Sequence, residues 1–454
     1  MASPTPCKIC GYNQDGSSHS ETPPITELYL PGVLRFLNSN DAPAGIAKTE
    51  FELALVKEAD NLSWHLSVDI LSEIFLHSIN EDHEKDKVGS SILPTHVSWR
   101  LTHVSQGWRF VALSFCRLWS TICVVLKQTL GKGAIFMLNT QLQRSGAHPL
   151  SVSIYARKEN FTSQNLLLQV LFPTSERWKD LMLCIPAPSY EKLLPWVTSF
   201  PALTSIHISF KDSERHLIRD CGIADIVRSS PNITSIYTLP HHIPSLQIPL
   251  GQIERFYCLS QRSPSQCLKG LSALPNLRVC HLDYKDQPPS QIEELQIVHL
   301  PDLQKLTIRN GGDSGPIFLL KYLQLPILKH LELERLNSID NLLSFLERSQ
   351  CRLTYLRLSS PDLTDTDCIR LCKAVPSLNF LTLRCPRVYT PNFFECLGNK
   401  DEKMLPSLKF FEMEGRKEGD LNPQWSQADM RKLKMSRPDV RFFGNASFHG
   451  ICAT

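Results

Sequence analysis

Pro275-Asn276-Leu277-Arg278-Val279-Cys280-His281-Leu282 decides how this chain folds, because the same phrase keeps returning downstream. Pro301-Asp302-Leu303-Gln304-Lys305-Leu306-Thr307-Ile308 and Pro326-Ile327-Leu328-Lys329-His330-Leu331-Glu332-Leu333 are the next two copies. Cys351-Arg352-Leu353-Thr354-Tyr355-Leu356-Arg357-Leu358 lacks the proline but keeps the spacing. Pro376 to Leu383 and Pro406 to Met413 complete the run, so the first positions are 275, 301, 326, 351, 376 and 406. Successive gaps are 26, 25, 25, 25 and 30 residues, and self-similarity at that period marks a stacked repeat architecture. Weaker copies lie upstream at Pro201, Pro231 and Ile253, and Pro149-Leu150-Ser151-Val152 and Arg177-Trp178 begin the array.

Within each phrase the apolar residues alternate, which predicts a strand with one buried face. Between phrases lie helix-like stretches such as 339–348 and 366–375. One such unit cannot bury its apolar face alone, whereas stacked units share a continuous core. The expected fold class is α/β: a leucine-rich-repeat strand–helix solenoid preceded by a small helical unit. Residues between the leucines point outward onto a concave sheet face. They include Lys305, Arg309, His330, Glu332, Tyr355, Arg357, Phe380 and Arg384, the candidate target-binding residues. Most such positions are simply solvated strand residues, so only a patch of them would bind. No Asn or Cys ladder follows the strands, and position 361, for example, is Pro. Cys258, Cys280 and Cys385 fall at or beside core positions, where a thiol serves as a small hydrophobe.

Composition narrows the function classes. The chain has 454 residues, 42% hydrophobic and 20% charged, an ordinary globular balance. Lys plus Arg is 48 and Asp plus Glu is 45, a net +3 that argues against a general nucleic-acid or membrane-surface binder. No apolar run approaches the roughly 18–20 residues that would span a bilayer. The N-terminal residues do not read as a secretory signal. Fifteen scattered cysteines, an odd number, fit a reducing compartment, cytoplasmic or nuclear. No phosphate-loop, dinucleotide or His-Glu-x-x-His motif is present, so neither enzyme activity nor a cofactor is expected. Cys7 and Cys10 form half of a zinc-knuckle pattern without a second pair, and His241-His242 reads as a turn between prolines; no metal is expected at either.

The N-terminal third carries a different signal. Residues 1–61 read as poorly ordered. In Leu66 to Ile79 apolar residues recur every four positions, with Ser67 able to cap a helix and Asp69 in its first turn. A polar loop, 80–87, follows. Val97, Leu101, Val104, Trp108 and Val111 step by four, three, four and three, a second helical pattern expected to break near Gly107. Arg117-Leu118-Trp119-Ser120-Thr121-Ile122 closes a unit of three short helices, 62–122, with too thin a core to stand without support. The array then covers 123–440, and 441–454 is a tail.

Leu66 to Phe75, then Leu101-Thr102-His103-Val104-Ser105-Gln106-Gly107-Trp108-Arg109, then Leu118-Trp119 together resemble an F-box. Combined with the repeats, the chain resembles the F-box proteins with degenerate leucine-rich repeats of mushroom-forming (basidiomycete) fungi. Ser67 stands where that pattern has Pro, Asp69 where it has Glu, and Ser105 where it has Cys. The resemblance implies a substrate-recognition subunit of a cullin-type (SCF) ubiquitin ligase. Its F-box would dock on a Skp-type adaptor, and through it a cullin. Its repeats would hold a target protein near chemistry that another subunit performs. Carried over by position, Leu66, Ile70, Leu101, Val104 and Trp108 would lie at the adaptor interface or just beneath it. The competing reading is a non-catalytic interaction scaffold whose F-box has decayed.

Overall fold

The computed structural model describes residues 66–84, 90–126, 132–156, 166–186, 189–196, 199–209, 223–238, 250–261, 264–284, 295–310, 317–336, 339–360, 363–384, 391–399, 404–413 and 427–444. The expectations for residues 1–61, Cys7, Cys10, His241, His242 and Cys385 lie outside them.

Among the described residues three helices come first: α1 (Val68–Glu84), α2 (Val97–Leu101) and α3 (Gln106–Ser114), followed by a 3-10 turn at Cys116–Trp119. Leu71, Phe75 and Ile79, four residues apart on α1, turn one face inward. They meet Trp99 and Leu101 of α2, Trp108, Val111 and Ala112 of α3, and Leu118 and Trp119. The Phe75 and Trp108 rings lie 5.2 Å apart, and Trp99 meets Trp119 edge-on at 4.9 Å. The break between α2 and α3 falls at 102–105 rather than at Gly107. Ser105 is extended, and its hydroxyl accepts the Trp108 N–H at 3.2 Å, so a cap opens α3 and Gly107 sits in its first turn. Helix α1 continues to Glu84, into the stretch expected as a loop.

The sheet begins at β1 (Thr121–Val125), a strand that spans the expected 122/123 boundary. It continues through β2 (Leu150–Tyr155), β3 (Trp178–Cys184), β4 (Ser205–Ser209), β5 (Ser235–Tyr237), β6 (Arg255–Gln261) and β7 (Val279–Tyr284). Then come β8 (Val298–His299), β9 (Lys305–Asn310), β10 (Leu323–Gln324), β11 (His330–Glu334), β12 (Tyr355–Ser359), β13 (Phe380–Arg384), β14 (Phe410–Met413) and β15 (Arg441–Gly444). Apart from β8 and β10, which pair with each other, these form one 13-stranded parallel sheet in chain order. Strand β15 lies where a tail was expected. Its lead-in, Pro438-Asp439-Val440, keeps the repeat's spacing. Helices cross between strands, beginning with α4 (Lys132–Arg144) and α5 (Leu166–Leu171), then α6 (Ile223–Arg228) and α7 (Pro264–Ser272). The later ones are α8 (Ile317–Leu320), α9 (Asp340–Ser349), α10 (Asp365–Ala374), α11 (Pro391–Gly398) and α12 (Gln427–Ser436).

Register explains why the leucines matter. Leu306, Leu331, Leu356, Leu381 and Phe411 are cross-strand partners at the same depth, and each is essentially inaccessible. Burying one leucine side chain stabilises by about 1.5–3 kcal/mol, and the row continues unbroken from repeat to repeat. An Asn ladder is replaced by a backbone relay. The N–H groups of Gln304, Lys329, Thr354, Asn379 and Lys409 donate to the carbonyls of Arg278, Gln304, Lys329, Thr354 and Asn379, at 2.8–2.9 Å. Each carbonyl also accepts the next N–H of the donor strand, as Thr354 O does from Asn379 and Phe380. The residue after each Pro-x-Leu thus bonds its counterpart one repeat earlier, and no particular side chain is required.

The helical unit is joined to the first repeat. Gln141 of α4 is fully buried; its Nε2 donates to Thr121 O at 2.8 Å and its Oε1 accepts from Ser91 Oγ at 2.9 Å. The Arg144 guanidinium lies 4.9 Å from the Trp99 ring centre and 4.5 Å from that of Trp119. Met137 packs against the cores of both parts. The thin three-helix core therefore rests on α4.

Candidate functional site

Two surfaces carry the expected site residues. On the helical unit, Leu101 and Trp108 belong to the core, at 6% and 7% exposure. Leu66 and Val104 are half-buried at its rim, and Ile70 is exposed. The cause is the four-residue period: Leu71, Phe75 and Ile79 take the inward face, which leaves Ile70 one step round the helix. Ser67 Oγ accepts the Ile70 N–H at 3.4 Å, which places Ile70 in the first turn. Two apolar residues not singled out from the sequence are more exposed still, Val68 at 54% and Phe110 at 71%. Phe110 flanks Val111 of the buried period, which leaves it outside the core, whereas Val68 opens the helix and has no such neighbour.

The second surface is the open face of the sheet. Outward residues align by register into rows that cross the strands. One row runs Lys305, His330, Tyr355, Phe380, Phe410 and Arg441. The His330 and Tyr355 rings are parallel with centres 3.7 Å apart, Tyr355 and Phe380 are 6.0 Å apart, and Phe380 and Phe410 are parallel at 4.3 Å. Arg441 places its guanidinium 5.6 Å from the Phe410 ring centre. The next row runs Thr307, Glu332, Arg357, Thr382 and Glu412. Beyond it lie Arg309, Glu334, Ser359 and Arg384. The Thr382 hydroxyl, itself buried, bonds Glu412 at 3.3 Å.

Ion pairs tie much of this face together. Glu332 accepts from His330 at 2.7 Å and from Lys305 at 3.4 Å. The His330 hydrogen bond, with Lys305 adding to it, holds the Glu332 carboxyl at about 2, against partial burial that would raise it. Arg309 lies 3.7 Å from Glu334. Of the sequence-derived residues, Lys305, Arg309, His330 and Glu332 are thus partnered within the face. Tyr355 and Phe380 form the aromatic row. Arg357 and Arg384 line a small dent together with Thr307, Ser359, Glu332 and Glu334. Phe410, Glu412 and Arg441 complete the patch without having been named. Phe410 and Glu412 are the outward positions of the phrase Pro406 to Met413, so the repeat's alternation is the signal that points to them.

The earlier half of the face differs. His207, Tyr237, Tyr257 and His281 form another ring row, with the two tyrosines parallel at 4.0 Å. Burial lowers the His207 imidazole to about 4, and its Nε2 has no hydrogen-bonding partner among the described residues. Burial also pushes the Cys184 thiol to about 11 and raises the Tyr155 phenol and the Asp180 carboxyl. Every one of these shifts favours the neutral form. Among the described residues no three His, Cys, Asp or Glu side chains are grouped to hold a metal ion, and no helix is long and apolar enough to cross a membrane.

The fold and its rows of outward side chains define a parallel strand–helix repeat protein. No protein-family model and no curated protein matches the chain. Among solved structures the chain is similar to one described as the crystal structure of the Rad7 and Elc1 complex in yeast. It is 13% identical over 85% of this chain and 100% of that one, with a TM-score of 0.39.

Proposed function

We propose that the chain is a non-catalytic substrate receptor of a cullin-type ubiquitin ligase. In this reading the helical unit docks on a Skp-type adaptor, and the open sheet face holds a target protein. The observation that carries it is an apolar rim left outside a completed core. Val68, Ile70 and Phe110 are 54%, 41% and 71% exposed, on a unit whose inward residues already pack against one another. Exposed apolar side chains of this kind on a small module suit a partner's groove. The rest of the receptor's work is positioning, which needs no reactive group of its own.

The test is co-purification of the full chain with a Skp-type adaptor. Wild type is expected to retain the adaptor. The double variant Ile70→Glu, Phe110→Glu is expected to lose it while its circular dichroism and unfolding midpoint stay unchanged. A folded wild-type chain that shows no adaptor binding at micromolar concentration ends this reading. It leaves a repeat scaffold that binds partners through the sheet alone.

A further inference from the structure

We infer that the later half of the open face binds an extended acidic segment of a partner protein, one that carries a large apolar side chain beside its carboxylates. This rests on the reading of that face as the target-binding surface and states what the target must offer.

The aromatic row sets the first requirement. The His330–Tyr355 and Phe380–Phe410 rings, parallel with centres 3.7 and 4.3 Å apart, lie face against face within each pair and turn ring edges toward solvent, while Tyr355 and Phe380 are tilted by 32° at 6.0 Å and do not stack on each other. The free face at the Phe410 end is occupied by the Arg441 guanidinium. An aromatic ring is electron-rich on its face and electron-poor at its edge. The strip is therefore apolar and weakly electropositive. It suits an apolar side chain followed by an anion. Rings already stacked in pairs offer less face to a cation or to a nucleobase. Phe380, in the middle of the strip, is 40% exposed.

Charge sets the second requirement. Among the described residues the outward cations of this half are Lys305, Arg309, Arg357, Arg384 and Arg441, and the anions Glu332, Glu334 and Glu412. Glu332 is held by His330 and Lys305, and Glu334 by Arg309, and with five cations to three anions the surplus among the described residues is positive. Arg357 and Arg384 meet at the dent beside Ser359. Two guanidiniums suit a carboxylate in forked geometry. Arg384 stands four residues along β13 from Phe380, about 13 Å at the strand rise. An extended segment laid along the strands can seat an apolar side chain at one and a carboxylate at the other.

The test is selection of a phage-displayed random-octamer library on the purified full chain, followed by fluorescence anisotropy of the selected peptides. The expected consensus combines Asp or Glu with Phe, Trp, Leu or Met, and affinity falls as salt rises. Arg384→Glu is expected to weaken binding roughly tenfold or more, the loss of one charge-assisted contact. Phe380→Ala is expected to weaken it several-fold, and Met435→Ala, at an exposed helix position outside both surfaces, to leave it unchanged. A basic or neutral consensus that is still sensitive to Phe380→Ala overturns the acidic assignment and keeps the target face. So does tighter binding of a phosphorylated variant, or competition by oligo-dT. Selection that yields no octamer sensitive to Phe380→Ala or Arg384→Glu overturns both the inference and the target-face reading.

Discussion

The helical unit and the repeat array bury their apolar residues in different ways. In the unit, four tryptophan and phenylalanine rings from three helices and a turn meet in one small cluster. Trp119 Nε1 donates to Ala112 O at 2.6 Å, and Trp99 Nε1 to Ser91 O at 2.8 Å. Each ring is wedged by residues far from it in sequence, and none has an equivalent. In the array, each leucine is flanked by its own counterparts one repeat away, and the backbone relay repeats every 25 residues or so. A defect in the first has nowhere to relax. One in the second is confined to neighbouring repeats, because stability there is close to a sum of local and nearest-neighbour contributions.

The largest expected effect follows from that contrast. Trp119→Ala should cost about 3–5 kcal/mol. Hydrogen exchange should show residues 66–119 losing protection while β9 to β13 keep theirs; uniform loss across the chain would mean that the two parts unfold as one. Leu356→Ala should cost about 2–5 kcal/mol, with protection lost first in β11 to β13 and the helical unit unaffected. Arg144→Ala probes the join. Removing a desolvated cation from two indole rings should lower the unit's unfolding midpoint by the equivalent of about 1–2 kcal/mol and leave the later repeats unchanged.

Acid should separate the two halves of the array. His207 is lowered from 6.5 to about 4 by burial, so its contribution is present above pH 6.5 and is lost as pH falls from 6.5 toward 4. Glu332 is lowered from 4.5 to about 2 by its His330 hydrogen bond and by Lys305, so its contribution survives to pH 4.5 and is lost between 4.5 and 2. His207→Phe should flatten the upper part of a stability-against-pH curve, and Glu332→Gln the lower part. Urea midpoints at pH 7, 5 and 2.5 check both. The smallest effect is Ile70→Glu, expected within about 0.5 kcal/mol of wild type because the side chain already faces solvent.

The array was legible because stacking forces repetition. Pro-x-Leu-x-x-Leu-x-Leu shows the strand, its buried face and its period at once, and the register follows from aligning copies. The ends were harder to see. Strand β1 has no Pro-x-Leu lead-in and is preceded by Leu118-Trp119, whose burial belongs to the helical unit, so the boundary fell inside it. The break in the second helical pattern was assigned to Gly107 on flexibility, whereas the Ser105 cap decided it. Which outward residues form a patch depends on alignment across six strands. Lys305, His330 and Glu332 were identifiable one by one, but their mutual pairing, and the Phe410–Arg441 extension, emerge only when the strands lie side by side.

One detail at the array's beginning bears on how copies of the chain meet. The outer side of β1 is occupied. Ser91 donates its N–H to Cys123 O at 2.9 Å, Cys123 N–H returns to Ser91 Oγ at 2.9 Å, and Ser90 Oγ reaches the same carbonyl. An uncovered parallel strand is a template on which another chain's strand can add. Here a short serine segment satisfies those groups first. Polymerisation through that end would require peeling away residues 90–91, and with them Gln141's hydrogen bond and the indole contact at Ser91.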